Sequence, residues 1–119
     1  MLNAGKEGAM VFEPGFVQAN VGDVVEFIPS DLSHGSQSIF VPKGAKVWQG
    51  TLNKKVSTTL GAEGVYIYEC NPHSMMGMVG VIQVGKAKNL SEAKKVAAKI
   101  SKKFALNKNR LLNYMAKIK

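Results

Sequence analysis

One nine-residue segment of the chain concentrates side chains that bind soft metal ions. It runs from Cys70 to Met78, reads Cys-Asn-Pro-His-Ser-Met-Met-Gly-Met and directly follows an apolar run. A thiolate, an imidazole three residues later and a thioether eight residues later can converge on one point from a tight turn. Pro72 fixes its own φ, and Gly77 permits a bend that a side chain would resist. We call this segment the 70–78 loop and treat it as a candidate metal-binding loop.

A second imidazole completes a set of metal donors. His34 lies in a Ser/Gly stretch after the apolar run that ends near Ile28, and a β-sandwich can bring that stretch beside the 70–78 loop. Two imidazoles, a thiolate and a weak axial thioether are typical of a blue-copper electron-transfer site. Structural zinc favours four strong Cys/His ligands, and the chain has only three such residues. The predicted ligands of one copper ion are His34, Cys70, His73 and Met78.

Each of these residues also has an ordinary structural interpretation. A lone cysteine is often an inert buried thiol and can also be a nucleophile. A single histidine or methionine is more often a packing residue, and we expect Met75 and Met76 to pack at the rim of the site. However, the chain's one cysteine and two histidines all fall into this arrangement, which chance rarely produces. The metal interpretation is therefore favoured.

The segment before residue 86 is predicted to consist of short β-strands. Gly- and Pro-containing turns separate β-branched and aromatic runs, and helical periodicity is weak, as in a sandwich or a barrel. The candidate strands are 10–12, 16–19, 24–28, 56–60, 65–69 and 79–84.

The pattern changes to helical at Asn89. Asn89 to Glu92 resembles a capping box, with the Asn89 side chain bonding the amide at Glu92. Apolar residues then recur every three or four positions as far as Phe104, a break is expected at Asn107, and a shorter amphipathic run follows. The prediction is an all-β fold with C-terminal helices: a β-sandwich in residues 1–85 and two helices in residues 86–119 that pack on the same domain and turn lysines outward.

Charge divides the chain at the same point. Residues 1–85 carry five lysines against seven acidic residues, whereas residues 86–119 carry eleven basic residues against Glu92 alone. A basic tail can bind nucleic acid or acidic lipid, or be a solvated or docking face. No nucleic-acid motif accompanies Phe104 and Tyr114, so a packed helix pair is favoured. With 45% hydrophobic and 20% charged residues, the chain is predicted to be globular and not inserted into a membrane.

Several motifs together resemble a known family. They are the Cys-Xaa-Pro-His-Xaa-Xaa-Xaa-Xaa-Met loop with the following 79–84 run, the segments 1–3 and 8–14, the run 21–29, and the two basic C-terminal helices. This combination resembles the cupredoxins, and among them the pseudoazurin family, over nearly the whole chain. The resemblance implies an eight-stranded Greek-key sandwich, one Cu(II)/Cu(I) ion, and a soluble periplasmic electron shuttle whose signal peptide has been removed and whose partners are denitrification reductases.

Two positions depart from the family's pattern. Gly35 stands where an asparagine usually follows the first histidine ligand and ties the two ligand loops together. Glu69 stands before the cysteine, where the family usually has a lysine. The resemblance also implies that the chain begins within the first strand, so that a few N-terminal residues are missing.

The expected function is to carry single electrons between redox proteins such as a nitrite reductase-like enzyme or a cytochrome. We expect a monomer whose partner docks transiently near His73, on a patch formed by Pro72, Met75 and Met76, with steering by Lys6, Lys43 and Lys46. A copper enzyme would need a second copper bound by further histidines, and none is available. A copper chaperone or storage module without a redox role is the alternative.

Overall fold

The computed structural model describes residues 1–119 and contains eight β-strands and two α-helices. The strands are β1 (Leu2–Gly5), β2 (Gly8–Val11), β3 (Phe16–Ala19), β4 (Val24–Phe27), β5 (Gln37–Phe40), β6 (Val56–Thr59), β7 (Gly64–Glu69) and β8 (Val79–Val84). The helices are α1 (Leu90–Ser101) and α2 (Arg110–Met115), and a 3₁₀ turn spans Asn71–Met76. The predicted all-β fold with two short C-terminal helices is confirmed.

A four-stranded sheet forms the centre of the molecule. Its strand order is β3-β8-β7-β5; β3 runs parallel to β8, and the other pairs are antiparallel. The antiparallel pairs β1-β2 and β4-β6 lie on one side of it. The amino group of Met1 donates to the carbonyl of Ile28 at 2.8 Å, and this bond connects the start of β1 to the end of β4.

The side chains of β7 and β8 point alternately into two separate hydrophobic cores. Tyr66 and Tyr68 point into a core shared with β4 and the β1-β2 pair, whereas Val65 and Ile67 point into a core shared with the helices. Glu69 pairs with Val79, so Cys70 and Met78, one step further along each strand, lie on the first-core face. The strand register therefore places both sulfur atoms on the same side of the sheet.

The helices cover the other face of the sheet. Ala93 and Ala97 of α1 and Leu111 and Met115 of α2 are buried there, in agreement with the predicted apolar stripes. Every lysine after residue 85 is exposed. Neither helix has the length and apolar character needed to cross a membrane.

Two local predictions are wrong, and two strands lie outside the candidate ranges. Asn89 does not cap α1 with its side chain; its amide accepts from the Val65 N–H at 2.7 Å and donates to the Val65 carbonyl at 3.1 Å, where β7 has no strand partner on that side. Helix α1 ends at Ser101, well before Asn107, although Phe104 is still buried. Strand β5 lies outside the candidate strands, and β1 was implied only by the family resemblance.

Candidate metal centre

The 70–78 loop forms a closed turn between β7 and β8. Pro72 lies in the first turn of the 3₁₀ segment, and the His73 N–H donates to the Cys70 carbonyl at 3.1 Å. Gly77 ends the segment with φ of 73°, a left-handed conformation that glycine adopts at little cost. The Cys70 N–H then donates to the Met78 carbonyl at 2.9 Å. The turn therefore brings the backbones of the cysteine, the histidine and the methionine together.

Three of the predicted ligands point their donor atoms at one another. The Cys70 sulfur lies 3.7 Å from Nδ1 of His34 and 3.5 Å from Nδ1 of His73, and the donor atoms of all three lie within 4.8 Å of one another. For bonds of about 2.3 Å to sulfur and 2.0 Å to nitrogen, an angle between tetrahedral and trigonal separates the two donors by about 3.5–3.7 Å. The spacing thus fits a single first-row metal ion.

His34 is oriented by a hydrogen bond on the far side of its ring. Its Nε2 lies 2.8 Å from Oδ1 of Asn3 on β1. Because an amide oxygen only accepts, Nε2 carries the proton and Nδ1 keeps the lone pair that faces the Cys70 sulfur. Such an outer partner fixes the tautomer and ring orientation of a metal-binding histidine. His34 is therefore held in the form that binds a metal before any ion arrives.

Met78, the fourth predicted ligand, is the last residue of the 70–78 loop. It is fully buried, as are His34 and Cys70, and its N–H donates to the His73 carbonyl at 3.3 Å. Two imidazoles, a thiol and a nearby buried thioether make up the donor set that copper favours over zinc. The residues present therefore fit a copper ion.

Comparison with known proteins agrees with this donor set. The family described as copper binding proteins of the plastocyanin/azurin family matches residues 1–85. A pseudoazurin from Paracoccus pantotrophus is 46% identical over 106 residues, which cover 87% of this chain and 72% of that protein. This chain belongs to the pseudoazurin family.

Other pseudoazurins extend the match to the whole fold. The relative from Methylorubrum extorquens AM1 is 41% identical over 99 residues, covering 81% of this chain and 67% of that protein. The crystal structure of native pseudoazurin from Hyphomicrobium denitrificans matches with a TM-score of 0.89 at 39% identity, covering 100% of this chain and 94% of that one. The predicted cupredoxin fold, the copper cofactor and the general class of copper-binding electron carrier are thereby confirmed.

Burial sets the protonation of the metal-free pseudoazurin site. It raises the pKa of the Cys70 thiol, against the opposing effect of hydrogen bonds from the amides of Gly35 and His73. It also lowers the pKa of His34, and the nearby His73 acts in the same direction. Near neutral pH the site therefore holds a protonated thiol beside a neutral His34 imidazole.

Copper binding at pH 8 is expected to release about one proton per ion. Because the raised pKa keeps the Cys70 thiol protonated and a metal-bound cysteine is a thiolate, that proton must leave. The measurement is a titration of metal-free protein with Cu(I) in a weakly buffered, anaerobic solution that contains a pH indicator.

Met78→Gln is the matched control, because it replaces the predicted thioether ligand and keeps the thiol. It should still release about one proton per bound ion, whereas Cys70→Ala should release none. Binding by the native chain without proton release would contradict the assignment of a protonated Cys70.

The rim of the site is apolar and exposed. Met75 and Met76 are 63% and 38% exposed. Pro72 is exposed as well, and His73 is partly exposed while His34 has no exposed surface. Only one of the two imidazole residues therefore reaches the molecular surface.

At the two departures from the family's pattern, the chain is held by local hydrogen bonds. The loop at Gly35 is held by Asn53, whose N–H donates to the His34 carbonyl at 2.8 Å and whose side chain accepts from the Ser33 N–H. Glu69 accepts a hydrogen bond from the Gln37 side chain at 2.6 Å, on the neighbouring β5. The His34 loop is therefore tied to the 51–54 turn, and the acidic side chain is engaged within the sheet.

Sequence reasoning missed two residues that support the site. Asn3 contacts His34 across 31 positions, and Arg110 donates to the carbonyl of Gly77 across 33 positions. Asn3 is one of many exposed polar residues, and Arg110 is one of the eleven basic residues after position 85. Only its place in the apolar pattern of α2, directly before Leu111, could have indicated a buried arginine.

Proposed function

We propose that this chain is a mononuclear blue-copper electron-transfer protein that uses His34, Cys70, His73 and Met78 as copper ligands. The observation that carries the proposal is the spacing of 3.5 and 3.7 Å between the only cysteine sulfur and two imidazole nitrogens. Burial of Met78 at the end of the same loop supports its proposed role as a weak thioether ligand. When bound, copper would supply a one-electron couple between Cu(II) and Cu(I).

The protein residues provide the route and the environment for the electron. His73 is the only ligand imidazole with exposed surface, so its ring edge is the route to a partner. Pro72, Met75 and Met76 are exposed and form an apolar patch. Removing water from this patch when a partner docks costs little free energy. His34, Cys70 and Met78 exclude water from the interior side of the site because none of them is exposed.

The partner is proposed to be a redox protein, such as a nitrite reductase-like enzyme or a cytochrome, which docks transiently near His73. Lys6, Lys43 and Lys46 are exposed, and together with the net charge of +8 they favour steering toward an acidic face. We also propose that the chain acts as a monomer in the periplasm and has no catalytic activity of its own.

Voltammetry of the copper-loaded protein tests the electron-transfer role. We expect a reversible one-electron couple with no loss of copper over repeated cycles, since the buried donor set serves both oxidation states. Metal loss on cycling, or a protein that holds only Cu(I), would instead indicate a copper chaperone or storage module.

The salt dependence of the electron-transfer rate tests the proposed docking. Electron transfer to an acidic redox protein should slow as ionic strength rises, because exposed charges are screened beyond about 10 Å at 0.1 M salt. The double variant Lys43→Gln/Lys46→Gln should show a weaker salt dependence, and Lys117→Gln, which lies in the chain's last three residues, is the control. A rate that does not depend on salt would contradict lysine steering.

A further inference from the structure

Three consecutive carbonyls of the 70–78 loop accept hydrogen bonds from the C-terminal segment. They belong to Met75, Met76 and Gly77. The Met75 carbonyl accepts from the N–H groups of Ala105 at 2.7 Å and Leu106 at 3.4 Å. The next two carbonyls are bound by side chains: Met76 by the Asn107 amide at 2.9 Å and Gly77 by the Arg110 guanidinium at 3.1 Å. All four donors come from residues 105–110, the end of the connection between α1 and α2 and the first residue of α2.

Arg110 is the most heavily bonded of these donors. Its side chain is buried, and besides Gly77 it donates to the carbonyls of Met10 at 2.7 Å, Ala9 at 2.9 Å and Glu7 at 3.2 Å. No carboxylate pairs with it, so carbonyl dipoles alone compensate a buried charge, which is costly unless every donor is well placed. A residue needed only for packing would not require this arrangement.

The same guanidinium connects both sides of the metal centre. The three carbonyls at residues 7–10 belong to the β1-β2 hairpin, and β1 carries Asn3, the partner of His34. The Gly77 carbonyl lies in the peptide bond to Met78. Arg110 thus links the strand pair that orients one predicted ligand to the loop that carries the other three.

The loop and the C-terminal segment also touch without space between them. A Cβ atom at Gly77 would lie 3.0 Å from the Asn107 Cβ and 3.0 Å from the Leu106 carbonyl oxygen. Asn107 itself has φ of 54°, a left-handed conformation that asparagine tolerates better than most residues. Both backbones therefore bend where they meet, and the contact fixes the position of the loop.

We propose that Asn107 and Arg110 are positioning residues of the copper site, through which the C-terminal helical segment braces the 70–78 loop. Residues 86–119 lie outside the region that matches the copper-binding family, so this brace is an addition to the shared sandwich. By fixing the peptide that precedes Met78, the brace sets where the thioether lies relative to Cys70 and His73. This inference rests on the proposed copper ligands.

Two variants separate the brace from general stability. Arg110→Met removes the guanidinium, and Asn107→Gly removes one amide donor while keeping a residue that tolerates the left-handed backbone. Lys108→Met is the matched control, because it removes a positive charge between them from an exposed side chain that has no bond to the loop. Arg110→Lys keeps the positive charge but loses the planar guanidinium with its several N–H donors. It should therefore restore the native loop exchange and copper spectrum only in part.

The first readout is amide hydrogen exchange in the metal-free protein. We expect Gly77 and Met78 to exchange about tenfold faster in Arg110→Met and Asn107→Gly, the size expected for one lost hydrogen bond, while the amides of β3 and β8 away from the loop keep their rates. Lys108→Met should match the native chain. Faster exchange spread evenly over the sheet would overturn the brace and leave Arg110 as a general stabiliser.

The second readout is the copper site itself. In the Cu(II) form, both variants should change the copper hyperfine splitting in the EPR spectrum and shift the midpoint potential, and Lys108→Met should do neither. Native loop exchange, EPR spectrum and potential in Asn107→Gly and Arg110→Met would overturn the proposal. If the native chain shows no reversible couple, the proposed function fails, while the exchange measurement still decides the brace.

Discussion

Replacing Cys70 by alanine is expected to abolish the intense visible absorption band of the Cu(II) protein. Such a band arises from charge transfer between a thiolate sulfur and copper, and Cys70 is the only cysteine in the chain. No neighbouring thiol can take its place, so the loss should be essentially complete. The measurement is the visible spectrum after stoichiometric Cu(II) is added to the variant.

The fold should survive this substitution, so the spectral change reports on the ligand. Alanine removes a single sulfur atom from a fully buried position, and the two backbone bonds made by residue 70, to Met78 and His73, remain possible. Met76→Leu is the matched control, since it removes an exposed sulfur from the same loop and should keep the band. An unchanged coloured spectrum in Cys70→Ala would show that the sulfur is not a ligand.

The sequence was most informative where the structure depends on neighbours along the chain. Strands β3 and β8 occupy the predicted ranges, because the side chains of β8 alternate between two buried cores and Phe16 and Val17 of β3 pack against the same two cores. The donor loop was equally clear, since Pro72 and Gly77 determine its turn locally. Strand β5 was missed because its Gln-Ser-Ile-Phe sequence is short and half polar, and it forms only by pairing with β7 at the sheet edge.

The support of the site depends on contacts that no local pattern encodes. Asn89 stands at a helix start with a suitable sequence, yet its side chain bonds Val65, 24 residues away. Arg110 bonds carbonyls as many as 103 positions away. In both cases a backbone group of another segment needs a hydrogen-bond partner, and that need becomes visible only when the segments are packed together. The candidate ligands were therefore readable from the sequence, whereas the distant residues that hold them in place were not.

Removing copper is expected to lower the thermal stability of the protein by a large amount. His34, Cys70 and Met78 are fully buried in the folded chain, and the donor spacing already fits an ion, so copper binds the folded state far better than the unfolded one. At a free copper concentration a thousandfold above Kd, this preference adds about 4 kcal/mol to the free energy of unfolding. For a chain of this size that is a rise in Tm of roughly 15 °C.

The measurement is calorimetry of the metal-free and Cu(I)-loaded protein under anaerobic conditions, which prevent oxidation of the thiol. Cys70→Ala is the control, and its Tm should change little on adding Cu(I), because the remaining imidazoles and thioether lack the strongest soft donor. The rise in the native chain should also grow with the logarithm of free Cu(I), since it arises from mass action. An equal rise in Cys70→Ala would mean that copper stabilises the fold from another site, and the buried donor cluster would then not be the main copper-binding site.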